Sequence, residues 1–260
     1  MNQSPAVSII MCVHNRERFV DAAIKSVLAQ TRPDLELVLF DDGSTDGSLA
    51  ICREHASRDA RVNLIQSERL GAVRALNAAH RHARGRFIGW VDSDDMLHAH
   101  ALAQTTAVLE SRPEIGLVYT DHLIINEHNN ASGLGYKATI PYSKEKLLTD
   151  FITFHFRLFR RELFDQLGGL DESFTAAADY DFCLRMSEIT DFAKVDRPLY
   201  AYRVHAESIS TKRRLEQIEM SARAVRRALA RRELTETTVL DVEILSRFQL
   251  RPRRAGERDL

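Results

Sequence analysis

Three carboxylates stand within four residues at Asp92, Asp94 and Asp95, directly after the short apolar run from Phe87 to Val91. Like charges this close raise one another's pKa unless solvent or a cation compensates them. Carboxylate oxygens are the ligands that magnesium, manganese and calcium prefer in proteins. A solvated turn before a helix is the alternative that the local pattern leaves open. The cluster therefore predicts either a metal site or a polar turn.

Two further polar groups follow apolar runs in the same way. His14 and Asn15 follow the run from Val7 to Val13, and Asp41 and Asp42 follow the run from Leu35 to Phe40. Apolar strands that alternate with amphipathic helices are typical of an α/β domain with a mostly parallel sheet. Because ligands bind beyond the carboxyl ends of such strands, we expect all three polar groups at one sheet edge, where a single ligand can touch them.

Periodicity and turn residues predict the remaining elements. The first half is predicted to contain strands at 7–13, 35–40, 62–65, 87–91 and 116–120, and helices at 16–30, 46–57, 71–83 and 99–111. The second half is predicted to contain a hairpin over 123–140 that turns at Asn129-Asn130, a short helix at 144–150, a strand at 151–159, a loop at 167–171, a helix at 179–189, strands at 192–195 and 199–203, and a basic helix at 211–232. Residues 251–256 are predicted to fray.

The composition narrows the class of protein. A chain of 260 residues with 44% hydrophobic and 28% charged residues can bury a core of ordinary size. A formal net charge of −1 excludes a general field that attracts nucleic acid. Cys12, Cys52 and Cys183 form no CxxC pair, which indicates buried thiols in a reducing compartment. With no signal peptide and no apolar segment of spanning length, we expect a cytoplasmic protein.

Six short motifs recur in a fixed order, and together they carry a family resemblance. They are Val7-Ser8-Ile9-Ile10 with His14-Asn15, Asp41-Asp42-Gly43-Ser44-Thr45-Asp46, Gly85-Arg86-Phe87-Ile88 before Asp92-Ser93-Asp94-Asp95, Gly168-Gly169-Leu170-Asp171-Glu172, Asp179-Tyr180-Asp181-Phe182 and Tyr202-Arg203-Val204-His205. In order and spacing they resemble the family 2 glycosyltransferases, over roughly residues 5–210. The resemblance implies a GT-A fold, a nucleotide-diphosphate-sugar donor, a divalent metal (Mn²⁺ or Mg²⁺) and inversion at the anomeric carbon.

The resemblance also implies roles for residues on the donor side. Asp42 matches the carboxylate that hydrogen-bonds the nucleotide base, and His14 and Asn15 line the same pocket. Asp92-Ser93-Asp94 is similar to the DxD motif, with its first aspartate near the ribose and its second on the metal. Asp95 stands beside this second aspartate as a further candidate ligand.

The implied roles continue in the second half of the chain. Asp179 matches the general base, and Ala178 replaces the glutamate that usually precedes it. His205 matches a histidine that reaches the metal or the diphosphate, with a satisfied loop histidine as the alternative. In the first half, the position of Arg74 on a predicted helix face, rather than the resemblance, makes it a candidate phosphate or base contact; the alternative is a solvated helix arginine.

Three other charged or titratable residues are expected to have no part in the chemistry. Asp181 follows the predicted base closely, and we expect it to pair with a nearby arginine or backbone amide. His98 and His100 follow the acidic cluster, but a position at a helix start favours the surface.

Residues 1–210 are predicted to form the catalytic domain, with a nucleotide-sugar-binding half at about 5–120 and an acceptor-binding half at about 121–210. Residues 211–260 form a basic helical extension and tail. A basic amphipathic helix can lie on an anionic membrane, but we favour packing on the catalytic domain or on a second subunit. A homodimer is left open.

The sequence and the resemblance thus predict a metal-dependent inverting glycosyltransferase. It would move a sugar from a nucleotide donor, which is UDP in much of the family, to a hydroxyl of a glycan, lipid-linked or other acceptor. Taking up the acceptor proton requires a base, and the carboxylate of Asp179 can serve as one. No nucleophilic serine or cysteine is needed, because no covalent link to the enzyme forms. A non-catalytic nucleotide-sugar-binding relative is the alternative from another class. A sugar nucleotidyltransferase is a weaker one, because His14-Asn15-Arg16 is not the glycine-rich phosphate loop that it requires.

Overall fold

The structure is a computed structural model that describes residues 4–205 and 213–244. These residues form one nine-stranded sheet with helices on both faces. The strands are β1 (Val7–Val13), β2 (Leu35–Asp42), β3 (Val62–Ser67), β4 (Phe87–Trp90), β5 (Met96–Leu97), β6 (Ile115–Ile125), β7 (Ala131–Leu134), β8 (Arg157–Arg160) and β9 (Asp191–Arg203). The helices are α1 (Val20–Leu28), α2 (Ser48–Arg58), α3 (Ala72–His80), α4 (Ala101–Ser111), α5 (Arg161–Gln166), α6 (Ala178–Ile189) and α7 (Arg214–Arg231), with 3₁₀ turns at Tyr136–Thr139 and Lys146–Leu148.

The strand order is β3-β2-β1-β4-β8-β6-β9-β5, and β7 pairs with the outer part of β6. Strands β1 to β4 are parallel, as strand–helix alternation predicts. Strand β8 runs antiparallel between β4 and β6, whereas β6 and β9 are parallel to each other. The predicted α/β class is therefore confirmed.

The two faces of the sheet carry separate cores because successive side chains of a strand point to opposite faces. Ile9 and Leu37 belong to the core under α1, α2 and α4. Ile10 and Val38, each the next residue along the same strands, belong to the core under α3, α5, α6 and α7. Strands buried on both faces explain the continuous apolar runs in the sequence.

The predicted strand at 151–159 is wrong for most of its length, since β8 contains only Arg157–Arg160. Ile152, Thr153, His155 and Phe156 are all buried, so this segment lacks the two-faced alternation of a strand. Its end is held by the Thr120 amide, which donates to the Phe156 carbonyl at 3.1 Å. Helix α5 follows β8 directly and was not predicted.

Other predicted elements are present with different bounds. Strand β6 continues without interruption from Ile115 into the predicted hairpin, whose turn includes Asn129 in the left-handed conformation (φ 65°). The two predicted strands at 192–195 and 199–203 are one irregular strand, β9. Cys52 and Cys183 are buried free thiols and Cys12 is partly buried, as predicted. None of the described helices is long and apolar enough to cross a bilayer.

Helix α7 packs on the rest of the described fold, which is one of the two arrangements favoured from the sequence. Val225, Ala228 and Leu229 are buried against α6. Two of its arginines pair with carboxylates outside the helix: Arg231 donates to Glu188 at 2.8 Å, and Arg227 pairs with Asp171. Residues 211 and 212 of the predicted helix, and the predicted frayed segment 251–256, lie outside the described residues.

Candidate active site

Strands β1, β2 and β4 are parallel neighbours, so their carboxyl ends lie at one edge of the sheet. His14 directly follows β1, and Asp42 is the last residue of β2. Asp92 follows β4 after one intervening residue, Val91. The three polar groups predicted to converge are therefore brought to the same edge, where α/β sheets bind ligands.

His14 and Asn15 are fixed against the loop that follows β2. His14 Nδ1 lies 2.9 Å from the Asp42 carbonyl oxygen, which makes this nitrogen the donor of the ring. Asn15 has a left-handed backbone (φ 53°), and its Oδ1 accepts from the Thr45 amide at 2.8 Å. A short polar side chain that bonds locally is the usual non-glycine occupant of this conformation. These two residues thus form a preformed wall beside Asp42.

Asp42 is only 2% exposed, and protein groups already bind both of its oxygens. Oδ1 accepts from the Leu70 amide at 2.6 Å, and Oδ2 accepts from the Gly71 amide at 3.1 Å. The Arg69 guanidinium also pairs with Oδ2. The carboxylate therefore fixes the turn before α3 at the edge where a nucleotide would bind.

Arg74 is directed away from Asp42 in this structure. Its side chain is 65% exposed and its Nε lies 3.3 Å from Glu172 Oε2. Arg69, in contrast, pairs with Asp42. The arginine nearest the predicted base pocket was therefore missed, although it stands in the loop between β3 and α3.

Asp92 is the open member of the acidic cluster. Its side chain is 57% exposed, and its amide donates to the Tyr200 hydroxyl at 3.1 Å. Partial desolvation, followed by the negative charges of Asp94 and Asp179, raises the pKa of Asp92 to about 7. The carboxyl is thus poised to exchange a proton for a cation near neutral pH.

Asp94 is a paired carboxylate. Its Oδ2 lies 2.9 Å from Arg16 Nε and 3.0 Å from His205 Nε2. Burial opposes ionisation, but the hydrogen bond from His205 and the charge of Arg16 outweigh it and hold the pKa of Asp94 below its usual range. Asp94 and His205 are therefore brought together, as predicted. Arg16, which was not predicted to take part, pairs with the same carboxylate oxygen.

Asp95 is 1% exposed and only half satisfied. Its Oδ1 accepts from the Arg203 amide at 2.7 Å, whereas Oδ2 has no hydrogen-bond partner in the described part of the chain. Burial, followed by the charges of Asp92 and Asp94, raises the pKa of Asp95 well above its usual value. A buried oxygen without a partner is costly, and a cation would satisfy it. Ser93, between these aspartates, is buried.

Within residues 4–205 and 213–244, one group of metal-ligating side chains stands out. Ligand atoms of Asp92, Asp95 and His155 all lie within 4.8 Å of one another. Burial and the charge of Arg157 lower the pKa of His155 well below its usual value, so the ring is the neutral form that binds metals. Two carboxylates, a neutral imidazole and an unpartnered oxygen fit the divalent cation that the sequence implies.

This group differs from the predicted ligand set of Asp94, Asp95 and His205. Asp95 is common to both, but the structure gathers Asp92 and His155 around it. Asp94 and His205 are bound to each other instead. His155 was missed because it lies on the irregular segment before β8, some sixty residues after the acidic cluster.

Asp179 lies in the first turn of α6, and its side chain is 32% exposed. Its Oδ2 accepts from Arg157 Nη2 at 3.1 Å, and its Oδ1 accepts from the Tyr180 amide at 3.0 Å. Asp179 lies near enough to Asp92 to raise its pKa. The predicted base and the acidic cluster thus belong to one site. Ala177, at the helix start, has a left-handed backbone (φ 55°).

Arg157 was also missed by sequence reasoning. The side chain is 3% exposed, it donates to the Thr153 carbonyl at 2.9 Å, and its guanidinium lies 5.1 Å from the centroid of the Phe151 ring. The signal was present, because an arginine between Phe156 and Leu158 interrupts an apolar run. A buried arginine needs a charged partner, and Asp179 provides it.

The expected pairing of Asp181 and the expected surface positions of His98 and His100 are confirmed. Asp181 is buried and pairs with Arg185 at 2.8 Å. His98 and His100 are exposed. Neither histidine belongs to the group of metal-ligating side chains found in the described ranges.

Comparison with known proteins places these features in a family. The family model described as glycosyl transferase family 2 matches residues 8–168. The chain is 34% identical to the chondroitin synthase of Escherichia coli, over 89% of this chain and 34% of the relative. It is 31% identical to the hyaluronan synthase of Pasteurella multocida, over 82% of this chain and 22% of the relative. The chain thus spans about a third or less of these two curated relatives.

Solved structures show the same fold. Staphylococcus aureus TarS in complex with UDP-GlcNAc superposes with a TM-score of 0.65 at 21% identity, over 84% of this chain and 66% of that chain. The mannosyltransferase PcManGT from Pyrobaculum calidifontis, in complex with GDP-Man and Mn²⁺, superposes with a TM-score of 0.64 at 18% identity, over 92% of this chain and 77% of that chain. The predicted GT-A type of fold is confirmed.

Proposed function

The chain belongs to glycosyl transferase family 2 and is a glycosyltransferase, and we propose that it moves a sugar from a UDP-sugar to an acceptor hydroxyl with a divalent metal and with inversion. The observation that carries the proposal is the grouping of His155, His205 and Asp179 around the aspartates of the acidic loop. Family membership argues against a nucleotidyltransferase. The presence of both Asp94 and Asp179 argues against a non-catalytic relative, since a binding protein would not need the base.

On the donor side, we assign the nucleotide to the edge formed by His14, Asn15, Asp42 and Asp92-Ser93-Asp94. The support is the preformed wall around Asp42 and the nearby Arg69, whose guanidinium can meet a base or a phosphate. Arg74 keeps a role only if it leaves Glu172 when the donor binds. UDP is favoured because a structure with the same fold holds UDP-GlcNAc, although another holds GDP-Man.

For the metal we assign Asp92, Asp95 and His155, with Asp94 and His205 next to them on the diphosphate side. When bound, Mn²⁺ or Mg²⁺ supplies a positive charge that stabilises the leaving phosphates. The chain itself prepares the site: Arg203 orients Asp95 through its amide, and Tyr200 orients the loop at Asp92. Arg16 lies on Asp94 and adds a fixed positive charge at the same position.

For the chemical step we assign Asp179 as the general base. It takes the proton from the acceptor hydroxyl as that oxygen forms its bond to the anomeric carbon, and the bond from this carbon to the diphosphate oxygen breaks. Attack opposite to the leaving group inverts the anomeric centre, and no covalent intermediate forms with the protein. Arg157 donates to Asp179 Oδ2, and the Tyr180 amide donates to Oδ1. We assign the proton to Oδ1, because a carboxylate oxygen that accepts from a neutral amide keeps a lone pair for it.

For the acceptor we propose a glycan or lipid-linked hydroxyl in the assembly of a cell-surface polysaccharide. The support is the likeness to chondroitin and hyaluronan synthases, of which the chain spans only a part. The division into a donor half at about 5–120 and an acceptor half at about 121–210 remains a prediction. So do a cytoplasmic location, a homodimer and contact between the basic extension and a membrane.

A thermal-shift titration with UDP, GDP, CDP and dTDP, each with and without Mn²⁺, tests the donor site. A ligand that binds only the folded protein stabilises it by RT ln(1 + [L]/Kd), so one nucleotide should stand out and should require the metal. The double variant Asp92→Asn, Asp95→Asn should lose the dependence on metal, while Asp196→Asn, an exposed control, should keep it. Absence of a shift with all four nucleotides in the presence of Mn²⁺ would overturn the donor-site assignment.

A further inference from the structure

Lys137 is a cation that lies over two aromatic rings and has no acidic partner among the described residues. It lies in the 3₁₀ turn Tyr136–Thr139, and its Nζ is 4.4 Å from the centroid of the Phe154 ring and 5.2 Å from that of Phe151. The following lysines are different, since Lys144 and Lys146 pair with Asp191 and Asp150. Lys137 forms no ion pair with any residue that the structure describes.

The position of Lys137 ties it to the proposed base. The Phe151 ring has Lys137 Nζ at 5.2 Å and the Arg157 guanidinium at 5.1 Å from its centroid. Arg157 in turn donates to Asp179 at 3.1 Å. Two cations therefore lie over one aromatic ring, and one of them donates to the proposed base.

The rings stabilise the ammonium but do not neutralise it. Aromatic faces attract a cation by their quadrupole, which contributes about 0.5–2 kcal/mol and transfers no charge. Burial lowers the pKa of Lys137 to about 8, with Asp179 and Asp150 opposing this effect and Arg157 adding to it. A partly dehydrated cation that lacks a counter-ion is stabilised most by an anion that arrives with a ligand.

We propose that Lys137 binds a carboxylate or a phosphate carried by the sugar acceptor, and so selects an acidic acceptor. The inference rests on the proposed function, because it places this anion beside Asp179, where the acceptor hydroxyl reacts. Tyr136, the preceding residue, is 67% exposed and offers an aromatic face at the rim, against which a sugar ring can pack.

Three small probes distinguish the sources of the anion. Methyl β-D-glucuronide carries a carboxylate, glucose 6-phosphate carries a phosphate, and methyl β-D-glucoside is the neutral reference. Their dissociation constants are measured by calorimetry at pH 7 with UDP and Mn²⁺ present. We expect one anionic probe to bind the wild type about tenfold more tightly than the glucoside, the size of a charge-assisted hydrogen bond.

Variants of Lys137 test whether this residue causes the preference for an anionic probe. Lys137→Met keeps the length and apolar contacts of the side chain and should abolish the preference, whereas Lys137→Arg should retain part of it. Lys144→Met is the matched control and should bind the probes as the wild type does, because Lys144 is already paired with Asp191. A wild type without preference for either anionic probe, or a Lys137→Met variant that keeps it, overturns the proposal.

The preference should also depend on pH. Because Lys137 loses its proton near pH 8, affinity for the anionic probe should fall between pH 7 and pH 9 in the wild type and stay constant in Lys137→Met. The charged or titratable groups that face Lys137 are Asp179 on α6, Arg157 on β8, Asp150 after the second 3₁₀ turn, His122 on β6 and His155 on the segment before β8. Burial lowers the pKa of His122 to about 4, so it stays neutral over this range.

Failure of this inference can be told apart from failure of the proposed function. Stabilisation by UDP and Mn²⁺ is measured on the same samples and should be equal in the wild type, Lys137→Met and Lys144→Met. If that stabilisation is present while the anionic probes show no preference, only the acidic acceptor is wrong. If it is absent in the wild type, the donor-site assignment fails independently of Lys137.

Discussion

At the scale of single residues, the acidic loop contains three aspartates in three electrostatic situations. Asp94 is paired with Arg16 and His205, Asp95 is buried with one unpartnered oxygen, and Asp92 is open to the cleft. The pKa of Asp94 is therefore lowered while those of Asp92 and Asp95 are raised. In the proposed site, Asp94 is therefore a fixed anion, whereas Asp92 and Asp95 are the aspartates that we assign to the metal.

This difference predicts that metal binding releases protons. With a pKa of about 7, Asp92 is largely protonated in the metal-free protein at pH 5.5, and a metal must displace that proton. We expect the affinity for Mn²⁺, measured by calorimetry with UDP present, to rise by up to about tenfold per pH unit from pH 5.5 to 7 and then to level off. The variant Asp92→Asn should show a smaller dependence, and equal wild-type affinities at pH 5.5 and 8 would contradict the assignment.

Sequence reasoning found one half of this site and not the other. His14, Asp42 and the acidic loop could be predicted to meet, because each follows a parallel strand and the carboxyl ends of such strands share an edge. Arg69, His155 and Arg157 could not, because their positions depend on how a loop and an irregular segment fold back over that edge. Periodicity carries no information about such segments.

At the scale of elements, α7 shows why a basic helix need not face a membrane. Arg223 and Arg227 lie over the Phe174 ring, and Arg231 and Arg232 pair with Glu188. The long arginine side chains cover apolar surface while their guanidinium groups find acceptors on the domain. Much of the charge that marks this helix in the sequence is therefore used for docking.

The two leucines of α7 provide a matched test of this docking. Leu229 is 5% exposed and belongs to the core under α3 and α6, whereas Leu215 is 64% exposed. We expect Leu229→Ala to lower the free energy of unfolding by about 2–4 kcal/mol through lost packing and a residual cavity. Leu215→Ala should change it by less than about 0.5 kcal/mol, as judged by urea denaturation. Equal effects of the two substitutions would show that α7 does not dock as described.

Element prediction succeeded where the pattern of burial was simple. Strands β1 to β4 and helices α1 to α4 have the apolar runs and helical spacing that a parallel α/β sheet requires, and their ends differ from prediction by a few residues. The strand predicted over Phe151 to Phe156 is absent, because this segment is buried without pairing as a strand. Helix α5 was not predicted, because a helix of six residues is too short to show a helical period in the sequence.

At the scale of the whole molecule, the sheet interleaves the two predicted halves. Strand β4 of the first half pairs with β8 of the second, and β8 pairs in turn with β6. Trp90 on β4 lies 5.0 Å from the Phe159 ring and 5.3 Å from the Phe182 ring, measured between centroids. The donor and acceptor sides are therefore expected to fold as one unit.

The single tryptophan of the chain makes this expectation measurable. Trp90 fluorescence reports the contact between the halves, and far-UV circular dichroism reports secondary structure in both. We expect the two signals to give one coincident transition in guanidinium chloride, since neither half can keep its core without the other. Two separate transitions, with fluorescence lost first, would show that the halves are independent domains.

The central claim is that one sheet edge binds the nucleotide sugar and that Asp179 takes the acceptor proton. The most direct measurement is metal-dependent release of UDP from a UDP-sugar in the presence of a panel of sugar acceptors, for the wild type, Asp179→Asn and the exposed control Asp165→Asn. Asparagine keeps the shape of the side chain but cannot accept the proton. We predict that acceptor-dependent release falls by a factor of about 10²–10⁴ in Asp179→Asn while UDP affinity is unchanged, and that the control behaves as the wild type. Release by Asp179→Asn at the wild-type rate would contradict the account.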